Sequence, residues 1–265
     1  DGTQYSVSVC ETFDMAENDQ GLKAQRGLPN LVVREFELAD KAEIQQIFYE
    51  GMMEMVEDTA FRGLRHHPES LLLYAAVTVV CFVITMCWWV IILLPAIVLC
   101  GRYFYSRRVI HSYLEHSMSR DMGDLEGFYM NSAGIYSCMW VAVLGGKVVG
   151  HVAAVGQEPG GAVKLHRLSV DRHCRRCGVG VSLSQKVLEF ALTRGYSSVF
   201  LGTIAYTAAP HRLYQRVGLR CVGVTNGYIT PGAKRSLLEH IFYRVRIHHY
   251  SLDVQKLRLT VSADK

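Results

Sequence analysis

The chain has 265 residues, half of them hydrophobic, a fifth of them charged, and a formal net charge of +4. That length fits one good-sized domain with an appendage, or two small domains. So weak and dispersed a positive charge excludes a nucleic-acid-binding stripe, and the positive mean hydropathy requires at least one unusually apolar segment.

In chain order, residues 1–30 are polar and read as a disordered lead-in. Leu31–Phe36 reads as a short strand. Asp40 offers a helix N-cap with Glu43 three residues on, and Ile44, Ile47 and Phe48 follow at helical spacing to about Val56. Leu71–Cys100 then runs for thirty residues without a charge, which is a membrane-segment signal. Arg62, Arg65, His66 and His67 precede it, and Arg102, Arg107 and Arg108 follow. Trp88 and Trp89 sit at its middle, where a simple span rarely places aromatic residues, and Pro95 interrupts its second half. An amphipathic helix is expected from Arg107 to about Met122, and a short helical pattern covers Asp121–Tyr129.

Strands are expected at Tyr136–Leu144 and Lys147–Val155, around the hairpin turn Gly145-Gly146, and at Ala162–Val170. A helix at Gly180–Arg194 stops at Gly195. Then come a strand at Ser198–Gly202, a helix at Ala208–Val217 ended by Gly218, and strands at Leu219–Thr225 and His240–His248. The order from Tyr136 is β-β-β-α-β-α-β-β, which implies a mixed α/β sheet. Eight cysteines (Cys10, Cys81, Cys87, Cys100, Cys138, Cys174, Cys177, Cys221) show no regular spacing. Cys174-x-x-Cys177 has no second ligand pair, so reduced thiols and no metal are expected.

The sharpest chemical signal is Arg175-Arg176-Cys177-Gly178-Val179-Gly180, between a strand and a long helix. Backbone amides at a helix start carry partial positive charge and suit phosphate. Gly178 and Gly180 permit close approach, and the arginines add charge. No GK[ST] follows and the GxGxxG order is absent, so the loop is neither a Walker loop nor a dinucleotide fingerprint.

Arg175-x-x-Gly178-x-Gly180 after Leu168-Ser169-Val170 resembles the acetyl-CoA motif of the GCN5-related N-acetyltransferases. Ala209-Pro-His211-Arg-Leu-Tyr214-Gln-Arg-Val-Gly218-Leu219 resembles that family's later helix, where a tyrosine lies near the CoA sulfur. Phe48-Tyr-Glu-Gly51, Thr59–Arg65, Tyr103–Arg107 and Asp121–Glu126 are similar to the membrane-attached branch, and within it to members that acetylate aspartate. The similarity runs from about Leu31 to about Leu252.

The resemblance implies a mixed, mostly antiparallel sheet flanked by helices, with an inserted hydrophobic membrane hairpin. It divides the chain into a lead-in (1–30), a first strand and helix (31–60), the hairpin with basic flanks (61–110), the remaining acetyltransferase domain (111–250) and a tail (251–265). It implies acetyl-CoA as cosubstrate, held by Leu168, Ser169, Val170, Arg175, Arg176, Cys177, Gly178, Val179 and Gly180. The resemblance further implies L-aspartate as acceptor and Tyr214 as general acid. No residue is an obvious base; His166 and His211, which titrate near neutrality in principle, and a water chain are the candidates.

Two carboxylates on the acceptor call for arginine, whose fork matches them. Arg167, mid-strand in an apolar segment, and Arg220 are the candidates, Arg167 either contacting a substrate carboxylate or orienting the site, whereas Arg212 and Arg216 read as a solvated helix face. Other acceptors (a cysteine conjugate, a protein lysine) or an inactive membrane scaffold are the alternatives.

Because Leu31–Val56 belongs to the same domain as the later sheet, the apolar insert must enter and return on one side. Two halves of about fifteen residues would measure about 22 Å each, short of a hydrocarbon core of about 30 Å. A re-entrant or shallow hairpin bending near Thr85–Trp89 is expected, lipid-bound through Leu71–Cys100, its arginines facing the cytosol. The endoplasmic reticulum is the expected membrane, with the mitochondrion as alternative.

Overall fold

The computed structural model describes residues 30–66, 68–130, 136–156, 158, 160–226, 230–231, 243 and 245–255. Residues 1–29 of the expected lead-in, residues 256–265 of the tail, and positions 240–242 and 244 of the expected last strand lie outside the described residues.

The elements are β1 (Leu31–Glu35), α1 (Lys41–Ala60), α2 (Pro68–Thr85), α3 (Trp89–Met118), β2 (Ser137–Leu144), β3 (Lys147–Gly156), β4 (Ala162–Val170), α4 (Val179–Arg194), β5 (Ser198–Ile204), α5 (Ala208–Arg216), β6 (Arg220–Asn226) and β7 (Arg246–Asp253). They form a seven-stranded sheet in the order β1-β2-β3-β4-β5-β7-β6. Neighbours are antiparallel except β4 and β5.

Each face of the sheet carries its own core. Trp140, Val152, Leu183, Val187, Leu201 and Tyr214 pack on the α4–α5 face. Ile44, Phe48, Ile110, Leu114, Met139 and Ala153 pack on the α1–α3 face. The strand alternation of β2 and β3 supplies both sets, because successive side chains point to opposite faces. A third, small cluster docks Val109 and Tyr105 of α3 against Ile204, Val245 and Ile247 at the ends of β5 and β7.

Two features of β4 open the sheet at its centre. It pairs with β5 only over Ala162–Lys164 and Ser198–Phe200, and the strands part beyond that point. Toward β3, Ala153 faces His166 and His151 faces Ser169, so Arg167 and Leu168 together oppose Val152. This is a β-bulge, the kind of insertion that re-aims side chains, and Arg167 adopts φ 52° within it.

The structure revises several expectations. Asp40 does not cap α1 with its side chain. Its carboxylate accepts both Arg34 guanidinium nitrogens, at 2.7 and 2.8 Å, and the Glu37 amide. Glu43 accepts the Val148 amide of β3 at 2.8 Å and so ties α1 to the sheet. Pro95 does not interrupt the hairpin's second arm, which continues unbroken into the expected amphipathic helix as the 30-residue α3. At about 1.5 Å per residue α3 is about 45 Å long, and it crosses the expected boundary between 110 and 111. The expected tail likewise begins inside β7, which extends to Asp253.

The turn between α2 and α3 falls at Met86–Trp88, inside the expected bend, with Met86 at φ 48°. Both helices are long and apolar enough to cross a membrane, and their apolar stretches are almost wholly unburied, at 6% and 11%. With 18 residues, α2 is about 27 Å long, longer than the expected half. Arg102, buried in α3, roots the hairpin. Its guanidinium donates to the carbonyls of Ala60 (2.9 Å) and Thr59 (3.5 Å) at the end of α1, and to Tyr74 of α2. A helix end leaves its last carbonyls without intrahelical partners, and here a buried arginine from the returning arm satisfies them.

Candidate active site

The phosphate-loop residues adopt the geometry their sequence requires. Gly178 is the N-cap of α4 at φ 90°, with no side-chain cap over the first amides of the helix. Only glycine takes that conformation without steric cost. Val179 is buried in the core, so only its backbone faces the loop. A Cβ at Gly180 would lie 3.1 Å from Leu213 of α5, so this glycine sets the close approach of α4 and α5. Arg176 (φ 64°) and Cys177 are exposed, and the Cys177 thiol points to the Arg175 carbonyl at 3.5 Å. Arg175 donates to the Val170 carbonyl at 3.2 Å and pairs with Glu54 of α1 at 2.6 Å. Glu54, to which the sequence reading gave no role, thus fastens the loop to α1; a lone carboxylate on an otherwise apolar turn was its only signal. The uncapped helix start and the Arg175 charge suit a pyrophosphate. Leu168, Ser169 and Val170, all half-buried, lie where β4 has left β5.

Tyr214 lies in the core on the α4–α5 face, its ring centroid 5.7 Å from that of Tyr250. Burial, and then Tyr250, raises its pKa, so the phenol stays protonated. His211 is engaged at both ring nitrogens: Nε2 with the Ile204 carbonyl at 3.1 Å and Nδ1 with the Tyr250 hydroxyl at 2.8 Å. A carbonyl can only accept, so Nε2 carries the hydrogen and Nδ1 accepts from Tyr250. That leaves no free lone pair and removes His211 as a base.

On the opposite face Arg167 is enclosed rather than offered to solvent. Nε and one terminal nitrogen bind the two Asp121 oxygens, each at 2.7 Å. The other terminal nitrogen donates to Tyr113 at 2.7 Å, and Ser117 accepts at 3.1 Å. The guanidinium also lies 4.8 Å from the Phe48 ring centroid. Burial alone would raise the Asp121 carboxyl, but the Arg167 bonds and charge outweigh it and hold the pKa low.

Tyr129 donates its only hydroxyl hydrogen to Asp121 at 2.5 Å, and its oxygen lies 3.0 Å from His166 Nδ1. His166 must then donate from Nδ1, which keeps its lone pair on Nε2. Burial, with Arg167 and Lys164 nearby, lowers its pKa to about 3, so the imidazole is neutral. Asp121 stands in a segment that resembles the family, but neither its role nor that of Tyr129 is visible in the sequence.

The other arginines stand apart. Arg220 is exposed on β6, the far edge strand, and does not point inward as expected. Arg212 and Arg216 are exposed on α5, in keeping with a solvated face. Among the described residues, no group of His, Cys, Asp or Glu side chains is placed to hold a metal.

A sheet split between parallel β4 and β5, with an uncapped glycine-rich helix start at its mouth, defines a CoA-dependent acyltransferase. The acetyltransferase (GNAT) family model matches residues 107–219, and this chain belongs to that family. It is 46% identical to human N-acetylaspartate synthetase over 224 residues, covering 84% of this chain and 74% of that protein. It is 43% identical to N-acetylaspartate synthetase of Xenopus tropicalis over 236 residues, 89% and 86% of the two chains. Mouse N-acetyltransferase 8 is more distant, at 32% over 195 residues, 72% and 85% of the two chains.

Proposed function

We propose that this protein transfers the acetyl group of acetyl-CoA to the amine of L-aspartate, giving N-acetyl-L-aspartate and CoA. The observation that carries this reading is the glycine-capped start of α4 beside the split between β4 and β5, in a chain 46% identical to human N-acetylaspartate synthetase.

In this reading the amides of Gly178, Val179 and Gly180, with the Arg175 and Arg176 side chains and the Cys177 segment, take the pyrophosphate. The free backbone edge of Leu168–Val170 aligns the thioester and polarises its carbonyl, the electrostatic assistance that acyl transfer needs. The amine attacks that carbonyl and the carbon–sulfur bond breaks. Tyr214, held protonated and without a hydrogen-bond partner among the described residues, gives its proton to the departing thiolate. His166 Nε2 receives the proton of the amine, directly or through water. Its low basicity suits a relay rather than a store. Arg167 acts as a positioning residue, fixing the β4 bulge and His166 through Asp121.

CoA release is the decisive measurement. It should be fast with acetyl-CoA and aspartate together and slow without aspartate, and Tyr214→Phe should lower kcat by about 10²-fold or more with KM little changed. Aspartate-independent release, or a cysteine conjugate or lysine peptide preferred over aspartate, would refute the acceptor assignment.

We infer that the α2–α3 hairpin attaches the enzyme to a membrane, with its catalytic domain in the cytosol and the endoplasmic reticulum as the membrane favoured over the mitochondrion. Supporting this, α1 and α3 pack together and Arg102 ties the end of α1 to the returning arm, so both flanks sit on one side. Tags placed before Arg62 and after Arg108 should therefore show equal protease sensitivity in sealed microsomes. Protection of one tag alone would contradict a hairpin.

A further inference from the structure

Aspartate, the acceptor in the reading above on which this inference rests, brings a side-chain carboxylate that must be recognised. Neither arginine nominated from the sequence is placed to do this. Arg167 is neutralised by Asp121 at two 2.7 Å contacts, and Arg220 is exposed on the distant edge strand.

An open cavity of about 400 Å³ lies beside the paired start of β4 and β5, lined by Val155, Gly161 and the exposed Glu158, Ala162, Lys164 and Phe200, and it reaches the last pairing at Lys164 and Phe200. It opens on the α1–α3 face. Lys164 lies opposite Val155, and His166 opposite Ala153, both of which pack in the α1–α3 core. Residues directly opposite across a ladder share a face. Val199 and Leu201, flanking Phe200, point to the other core. The cavity therefore lies on the face of the sheet opposite the α4 cradle, next to the point where β4 and β5 part.

Lys164 brings an uncancelled positive charge to this cavity. It makes no hydrogen bond or ion pair with any described residue, and Glu158 in the same cavity does not pair with it. Although the side chain reaches solvent, the surrounding protein lowers its pKa, burial first and the Arg167 charge second. Its Cα stands three residues, about 10 Å, before the bulge that would present the thioester. A lysine stem and a four-carbon acceptor together cover that gap.

We propose that Lys164 binds the side-chain carboxylate of the acceptor in this cavity, and so sets the preference for an acidic amino acid. The acceptor would lie along β4, its carboxylate at Lys164 and its amine near His166 and the bulge.

The test compares the full-length wild type with Lys164→Met and Lys164→Arg in detergent or nanodiscs, using L-aspartate and L-asparagine as acceptors. Lys164→Met should raise the aspartate KM at least about tenfold, as loss of a charged hydrogen bond does. The acetyl-CoA KM and the weak asparagine rate should stay within about twofold of wild type. Lys164→Arg should recover most of the aspartate affinity. An unchanged aspartate KM in Lys164→Met, or an acetyl-CoA KM that rises in step, would overturn the assignment while leaving the aspartate reading intact. A wild type that does not prefer aspartate to asparagine overturns both.

Discussion

Gly178→Val is expected to raise the KM for acetyl-CoA by about tenfold or more without unfolding the protein. Gly178 caps α4 at φ 90°, and a β-branched residue is a genuine outlier there. The left-handed conformation costs an L-residue about 1–2 kcal/mol, so the loop will relax to a negative φ and turn the first amides of α4 away from the pyrophosphate. A Cβ at Gly178 meets nothing within 4 Å, so the effect is conformational rather than a clash, and the exposed loop can absorb it. Steady-state kinetics with acetyl-CoA varied, beside a thermal melt, separate the two consequences. A Val variant with the wild-type KM would show that the loop amides do not bind the cosubstrate. Gly178→Ala should give a smaller shift in the same direction.

The second large effect is expected at Arg167. Its side chain is 8% exposed and that of Asp121 6% exposed. Removing one member of a buried ion pair leaves the other charged and desolvated, at about 3–5 kcal/mol. For a chain of this size that lowers Tm by on the order of 10 °C. Arg167→Ala should show this loss, and Asp121→Ala should show a loss of the same order because the same pair is broken. Arg167→Lys retains the charge but not the two-pronged contact. It should remain folded at 25 °C yet lose most of the kcat/KM for aspartate, because the bulge, Tyr129 and His166 lose their common anchor. Calorimetry and aspartate kinetics on all three variants provide the check. A Lys variant with wild-type kcat/KM would mean that Arg167 is structural alone.

The Arg167 network also explains why a charge stands mid-strand. Arg167 is anomalous in the sequence, a charge mid-strand that reads as contacting a substrate carboxylate or orienting the site. The partner that favours the second role is Asp121, 46 residues earlier in the chain. No local pattern links a carboxylate after α3 to an arginine in β4. The pairing exists because α3 lies across the sheet and delivers Tyr113, Ser117 and Asp121 to one point. The same limit applied to His211 and Tyr214. Both stood out in one helical segment, yet one side chain is locked between Ile204 and Tyr250 and the hydroxyl of the other makes no hydrogen bond among the described residues.

The elements whose signal is local were legible in the residues themselves. These are the Gly145-Gly146 hairpin, β4 at Ala162–Val170, the glycine-capped α4, and the bend between two apolar helices. Turn chemistry, alternation and uncharged length are fixed over a few residues and do not depend on what packs against them. The family likeness came from such local motifs too. Where a helix continues depends on what it touches. Pro95 and the arginines after Cys100 looked like a boundary, but α3 passes through both, with Arg102 engaged by the end of α1 and Val109 by Val245 and Ile247.

The sequence by itself therefore determined the glycine-capped start of α4, the succession of strands and helices along the chain and the presence of a hairpin. Only the tertiary structure decided which cations are free. Arg167 is cancelled by a distant aspartate, Arg220 is carried to the sheet edge, and Lys164, which no pattern distinguished, has no ion-pair partner among the described residues. Charge in a sequence is additive, but its availability is set by pairing and burial, and those follow from which segments meet in space.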